Sequence, residues 1–490
     1  MDQKQDFKEK LIILGLGPGE AKFLTREAWD VLTKVSEIYL RTQEHPTLSG
    51  FPSSLQVRSF DDLYEQADSF PEVYEGIVKQ VLALSERPEG VVYAVPGDPF
   101  IAEATTPAII QEAKTRGIPF RVVSGMSYME PTFSALGLDP LPATALIDAL
   151  ELVEQHHPNF PPDMPALIAQ VHSPWVASHI KLCLMAVYPD QHPVRFIHRA
   201  GMDGEKVESL SLYEIDRSPD IGLLTSLYLP PLKERTSFES FQEIIARLRA
   251  PDGCPWDKEQ DHKSLRPHLL EETYEALTAI DEDDPEAMKE EFGDLLLQIV
   301  LHAQIASEYG EFDMADVLHG VHTKIVNRHP HVFDDLDLDE TEDVLQNWER
   351  LKAEERHHQG DQKEGLLDGV APALPSLSQA QIFQKRAARV GFDWPDLSGV
   401  LEKISEELGE LKREKDPQSQ QKELGDLLFA VVNLSRWYDL DAESALRGAN
   451  QRFKRRFSYL EKAARSRGHD LSDLSLKELD ELWEEAKGQE

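Results

Sequence analysis

One pattern of acidic residues occurs twice in this chain, and it restricts the fold more than any other feature. The first copy reads LLEETYEAL and then EEFGDLLLQIV; the second reads ISEELGELK and then KELGDLLFAVV. EExxE followed by ExxDLL thus recurs about one domain apart. Each copy has matching flanks. CPWD (Cys254 to Asp257) precedes the first and GFDWPD (Gly391 to Asp396) the second. A basic stretch follows each: KIVNR (Lys324 to Arg328), then RFKRR (Arg452 to Arg456). From about residue 236 onward the periodicity is helical with almost no strand signal, so a duplicated all-α domain is predicted.

Helical spacing sets the chemistry. Residues three apart share a face, so Glu272 points with Glu275, and Glu291 with Asp294. Glu272 lies one turn from Leu269 and Ala276, and in the second copy Glu407 lies one turn from Ile404 and Leu411. These acids flank apolar rows. An unpaired carboxylate loses several kcal/mol on burial, so a partly buried cluster calls for a cation. Antiparallel packing of the two helices brings four carboxylates together, and an all-oxygen set suits Mg²⁺ or Mn²⁺. A single EExxE is ordinarily a solvated helix face. Two halves, a duplication and a basic helix behind each copy argue for the ion. The runs DEDDPE (Asp281 to Glu286) and DDLDLDETED (Asp334 to Asp343) lack this geometry and read as solvated loops.

EExxE…ExxD, preceded by GCPWDKEQDHKSL and followed by KIVNRHPHVF, resembles the MazG nucleoside triphosphate pyrophosphohydrolases in their tandem form. The resemblance implies an all-α, dimeric hydrolase that converts NTPs to NMP and pyrophosphate with Mg²⁺. It implies the ligands Glu272, Glu275, Glu291 and Asp294, and in the second repeat Glu407, Glu410, Glu423 and Asp426. Water activated beside the ions would attack the α-phosphorus in line. Glu271 or Glu406 would orient or deprotonate that water. Lys324 and Arg328, and their counterparts Arg452 and Arg456, would neutralise the phosphate tail. Trp256 and Trp394 are equally open to base stacking and to core packing.

The first 230 residues read as α/β. KLIILGLG, VVYAVPGD, RVVSGMS, ALIAQV, VRFIHRA and IGLLTSLYL are strand-like runs with glycine or proline turns behind several of them. GLGPGE (Gly15 to Glu20) fits neither GxGxxG nor GxxxxGK[ST], which excludes dinucleotide and P-loop readings. Together GLGPG, PGDPF and SGMS resemble the tetrapyrrole (corrin/porphyrin) methylases, and GDPFIAEATT is closer to the diphthamide-type variant. The resemblance implies two α/β subdomains with S-adenosylmethionine in the cleft between them. Pro18, Gly97, Asp98, Ile101, Ser127 and Tyr128 would line that site, with Asp98 as polar anchor. The methyl acceptor stays open.

The expected organisation is a methylase-like domain over 1–230 and MazG-like repeats over 236–360 and 376–490, with linkers at LPPLKERTSF and near HHQGDQKEGLLDGVAPALPS. A net charge of -38 excludes nucleic acid and anionic membranes as general partners. No apolar run reaches membrane-spanning length. Cys183 and Cys254 are the only cysteines, and the charged N-terminus is no signal peptide, so the cytoplasm is expected. The expected assembly is a homodimer or higher. The rival reading is a methyltransferase whose MazG-like part is a metal-binding dimerisation or regulatory scaffold.

Overall fold

The computed structural model describes residues 9–67, 69–334, 336, 343–344, 347–348, 350–351 and 365–489. They form two compact units, Met1–Lys258 and Glu259–Glu490. Among the described residues no helix is long and apolar enough to cross a membrane.

The first unit holds two five-stranded sheets. Strands β1 (Leu11–Gly15), β2 (Glu37–Leu40), β3 (Gln56–Ser59), β4 (Val91–Val95) and β5 (Phe120–Val123) pair in the order β3-β2-β4-β1-β5. Every pairing is parallel. The central strands β1 and β4 are buried along their whole length, which is why they read as unbroken apolar runs. Alternate side chains feed opposite cores: Leu11 and Ile13 join Ile77 and Tyr93, while Ile12 and Leu14 join Leu32 and Ala94. The second sheet runs β6-β7-β10-β8-β9, with β6 (Ala145–Asp148), β7 (Ala166–Ala169), β8 (Pro193–His198), β9 (Lys206–Ser211) and β10 (Thr225–Leu229). Only β6 and β7 are parallel within it. Its core is led by Ile168, Phe196, Leu227 and the helix Pro174–Leu184.

The LPPLKERTSF stretch starts at the end of β10 and leads into the helix Phe238–Arg249. Ser237 caps that helix by accepting from the Ser240 amide, and Ser240 Oγ donates to Asp163 at 2.5 Å.

The second unit is helical. Residues 282–284 join helix Arg266–Asp281 to helix Pro285–Tyr309, and residues 414–416 join Leu397–Arg413 to Pro417–Trp437. Connections this short make each pair antiparallel neighbours. Both hairpins turn on the same device. Asp284 accepts from the Glu286 and Ala287 amides ahead of Pro285, and Asp416 from the Ser419 amide ahead of Pro417. One residue of the DEDDPE run is therefore a helix cap and not simple solvated loop. Most of DDLDLDETED, and residues 357–364 of the second expected linker, lie outside the described residues.

Candidate metal and cofactor sites

Each helical hairpin gathers its acids where the two helices face one another. In the first, single carboxylate oxygens of Glu272, Glu275 and Glu291 all lie within 4.8 Å of one another; in the second, those of Glu407, Glu410 and Glu423 do. Asp294 and Asp426, the fourth expected member of each set, stand outside these triads, although Asp294 is close enough to act on Glu272.

The surroundings of the two triads differ. Among the described residues none of Glu272, Glu275, Glu291 and Asp294 takes part in an ion pair. Partial burial, then the negative charges of Asp294, Glu275 and Glu291, raise the Glu272 carboxyl above its ordinary range. Partial burial, then Glu275, Glu290 and Asp294, do the same to Glu291. In the second hairpin Lys403 Nζ sits 2.7 Å from Glu407 and 3.3 Å from Glu406, and Lys422 Nζ sits 3.3 Å from Glu423 and 3.6 Å from Asp426. Arg413 approaches Glu410 at 3.8 Å. Both lysines are held above their usual range, Lys403 chiefly by its hydrogen bond to Glu407 and Lys422 by that to Glu423. Glu407 is 5% exposed, and its Oε2 is buried with no hydrogen-bond partner.

Both triads fit a hard divalent ion. The donors are oxygen only, one set is crowded and unneutralised, and the other contains an orphaned buried oxygen. Glu271 lies on the exposed side of its helix, 3.8 Å from the His268 ring. Lys324 and Arg452 are exposed. The two arginines four residues further on rest over tryptophans: Arg328 over Trp348 at 5.5 Å and Arg456 over Trp483 at 5.6 Å.

A cavity of about 310 Å³ opens beside the second triad. Asp393, Lys403, Glu407, Asp426 and Arg436 form its charged lining, and Phe392, Trp394 and Phe429 part of its apolar one. Gly399 is required here, because a Cβ on it would lie 2.2 Å from Trp394 Cδ1. Asp393 holds the GFDWPD loop in place through Arg436 at 2.5 Å, and that guanidinium keeps the Asp393 carboxyl low despite partial burial.

In the first unit the three glycine motifs meet at the carboxyl ends of β1, β4 and β5, where open α/β sheets bind ligands. A Cβ on Gly125 would lie 2.2 Å from the Gly97 carbonyl oxygen, and one on Gly15 2.4 Å from the Gly125 nitrogen. Gly17 and Gly97 form a two-bond bridge. A cavity of about 210 Å³ lies beside this junction, lined among others by Pro18, Gly97, Ile101 and Tyr128. Burial raises the Tyr128 hydroxyl to about 12. Asp98 and Ser127 do not line it. Asp98 accepts from the Phe100 amide at 2.9 Å and the Gly125 amide at 3.2 Å, tying PGDPF to SGMS. Ser127 Oγ donates to Glu130 at 2.6 Å and accepts from the Met129 amide.

Much of the lining belongs to no glycine motif, and His45 and Gln170 are two such residues. His45 is 8% exposed, neither of its ring nitrogens has a hydrogen-bond partner, and burial pushes the imidazole down to about 4. Gln170, at φ +63°, donates to Asp148 at 2.8 Å. Nothing local in TQEHPT or ALIAQV marks either. Lys403 and Lys422, by contrast, were legible at four-residue spacing from Glu407 and Asp426.

Residues 260–333 and 397–460 match the MazG nucleotide pyrophosphohydrolase domain, and residues 10–216 match the tetrapyrrole (corrin/porphyrin) methylases. An uncharacterised protein of Bacillus subtilis (strain 168), YabN, is 42% identical over 98% of this chain and 98% of its own length. The Thermotoga maritima nucleoside triphosphate pyrophosphohydrolase/pyrophosphatase MazG is 47% identical over 51% of this chain and 96% of its own. The uroporphyrin-III-C-methyltransferase of Thermus thermophilus aligns with 45% of this chain and 91% of its own, at 19% identity and a TM-score of 0.36. With both carboxylate hairpins inside the matched segments, the chain belongs to the MazG nucleotide pyrophosphohydrolase family, as a tandem pair preceded by a tetrapyrrole methylase domain.

Proposed function

We propose that this protein hydrolyses nucleoside triphosphates to nucleoside monophosphates and pyrophosphate with Mg²⁺ or Mn²⁺, using both helical repeats. The observation that carries this is the same three-glutamate convergence on two successive hairpins. Glu272, Glu275 and Glu291, with Asp294 beside them, would hold the ions of the first site; Glu407, Glu410, Glu423 and Asp426 those of the second. A divalent ion there supplies neutralising charge to the phosphates and acidifies water. Glu271 and Glu406 orient a water and accept its proton as its oxygen bonds to the α-phosphorus. The bond from that phosphorus to the β-bridging oxygen breaks, and pyrophosphate leaves. Lys324, Arg328, Arg452 and Arg456 are the proposed counter-charges of the leaving tail. Trp394 and Phe429 offer the second site an aromatic surface for the base.

The test is product analysis with each NTP and Mg²⁺. Pyrophosphate with the matching monophosphate is expected; orthophosphate alone, or no turnover, overturns the reading. A nucleotide-sequestering module would bind NTPs and release neither product.

We also infer the division 1–230, 236–360 and 376–490, a cytoplasmic location and an assembly that is a homodimer or higher. The dimer is supported by equivalent exposed rows on the second helix of each hairpin, Phe292, Leu296 and Ile299 in one and Leu424, Leu428 and Val431 in the other. For the first domain the proposed ligand is S-adenosylmethionine, in the cavity of Pro18, Gly97, Ile101 and Tyr128, with the methyl acceptor unassigned. Calorimetry with S-adenosylmethionine tests it: no heat and no thermal stabilisation would end the methyl-transfer reading. The rival in which the MazG part is only a scaffold requires such binding together with no pyrophosphate release.

A further inference from the structure

A cavity of about 690 Å³ lies between the end of helix Arg266–Asp281 and the middle of helix Ala442–Ser466, apart from both carboxylate triads. Four cations line it, Arg447, Lys454, Arg455 and Lys462, against one carboxylate, Glu282. The chain as a whole has 51 Lys and Arg against 89 Asp and Glu. A four-to-one excess of cations in a single hollow therefore reverses the protein's own balance.

The positive charge is only partly answered from within. Arg447 contacts Asp281 at 3.5 Å and donates to Ser444 at 3.3 Å, yet its Nη1 is buried with no hydrogen-bond acceptor. Neither Lys454 nor Lys462 makes an ion pair among the described residues. Like charges gathered on one helix face repel, and a buried guanidinium nitrogen without an acceptor is costly. Such a face is stable when an anion rich in acceptor oxygens occupies it. The cavity falls within the roughly 300–1,000 Å³ usual for small-molecule sites.

Its other wall has a specific address. Thr278 lines the cavity three residues beyond Glu275 on the same helix face, and Glu282, which also lines it, is the C-cap of that helix. The hollow thus starts about one turn beyond Glu275 on the same helix, but its cations come from the second repeat. We propose that this cavity binds a phosphoanhydride anion, gripped by Arg447, Lys454, Arg455 and Lys462. Two sources share that chemistry: the tail of a nucleotide engaged at the first triad, and free pyrophosphate or polyphosphate. The adjacency to Glu275 leans on the metal-site reading above; the anion chemistry does not.

The experiment titrates the full chain, stripped of divalent ions with EDTA, with tripolyphosphate in a calorimeter. Saturable binding that weakens with salt is expected. The double variant Lys454→Ala, Lys462→Ala should bind at least tenfold more weakly; both side chains are exposed, so the fold should survive. Unchanged affinity in this variant overturns the proposal. So does loss of self-association with tripolyphosphate binding intact, since the face would then serve a second acidic copy. The sources separate in a chain also carrying Glu423→Gln. A raised KM for nucleotide identifies the substrate tail; an unchanged KM with lost inhibition by added pyrophosphate identifies the free anion. The titration involves no turnover, so a failed hydrolase reading leaves this result readable.

Discussion

His268 and Glu290 in the first hairpin occupy the positions that Lys403 and Lys422 fill in the second. The backbone plan is shared down to the Asp-Pro cap, yet the acids meet different neighbours. In the first repeat they meet mainly one another, and Glu272 and Glu291 are pushed toward protonation. In the second, lysines stand where a cation would otherwise be needed. Both hairpins keep the same carboxylate geometry and differ in its electrostatic background. On the proposed reading, the first triad would gain more from a divalent ion, and in the second an ion would have to displace an ammonium group.

The largest expected effect tests whether the repeats are independent. Glu291→Gln should lower pyrophosphate release at the first site at least about 100-fold, and Glu423→Gln likewise at the second, since even outer-shell changes at metal sites cost 10–100-fold. Only the double variant should be silent. If either single variant removes all release, the repeats form one catalytic unit and the comparison fails. Next in size, Trp394→Ala in a chain carrying Glu291→Gln should raise the nucleotide KM roughly tenfold, as expected for the loss of about 1–3 kcal/mol of stacking. An unchanged KM would assign Trp394 to packing against Gly399.

A smaller effect sharpens the electrostatic contrast. Removing Lys403 and Lys422 together should tighten Mn²⁺ at the second site by no more than about fivefold, because solvent screens exposed ion pairs. Calorimetric titration of the Glu291→Gln background reads this, and weaker binding would show that the lysines position the carboxylates. The smallest effect is a pH dependence. Raised carboxyl pKa values at Glu272 and Glu291 mean that the metal-free first repeat is favoured while those groups are protonated. It loses that stability as pH rises through their elevated range. Mn²⁺ should tighten over the same window as the protons leave. A Glu272→Gln variant should flatten the metal-free stability profile, and an unaltered profile would remove the crowding argument.

Much of the N-terminal fold was open to inspection along the chain. Strands β1 and β4, buried on both faces, announce themselves as apolar runs. Strands β2, β3, β6 and β9 carry little apolar signal and are absent from the strand-like runs of the sequence, because each leaves at least half of its side chains partly or fully exposed. The glycine motifs were visible too, but their mutual contact was not. Asp98 looked like a ligand anchor and is engaged in joining two loops through the Phe100 and Gly125 amides. His45 lacks any motif and reaches the cavity because the segment after β2 passes it.

What the amino-acid order determined alone is whatever depends on neighbours a few residues away. The duplication is a recurrence of the residues themselves, and the shared faces of Glu272 with Glu275 and of Glu407 with Glu410 are set by 3.6 residues per turn, whatever surrounds them. Tertiary structure decided which groups meet from distant positions: three glycine loops at one junction, Glu407 sealed against water while Glu272 is not, and a cationic helix of the second repeat beside an acidic helix of the first. The reason is physical. Burial and Coulomb energy depend on distance through space, and distance through space between far-apart residues exists only once the chain has packed.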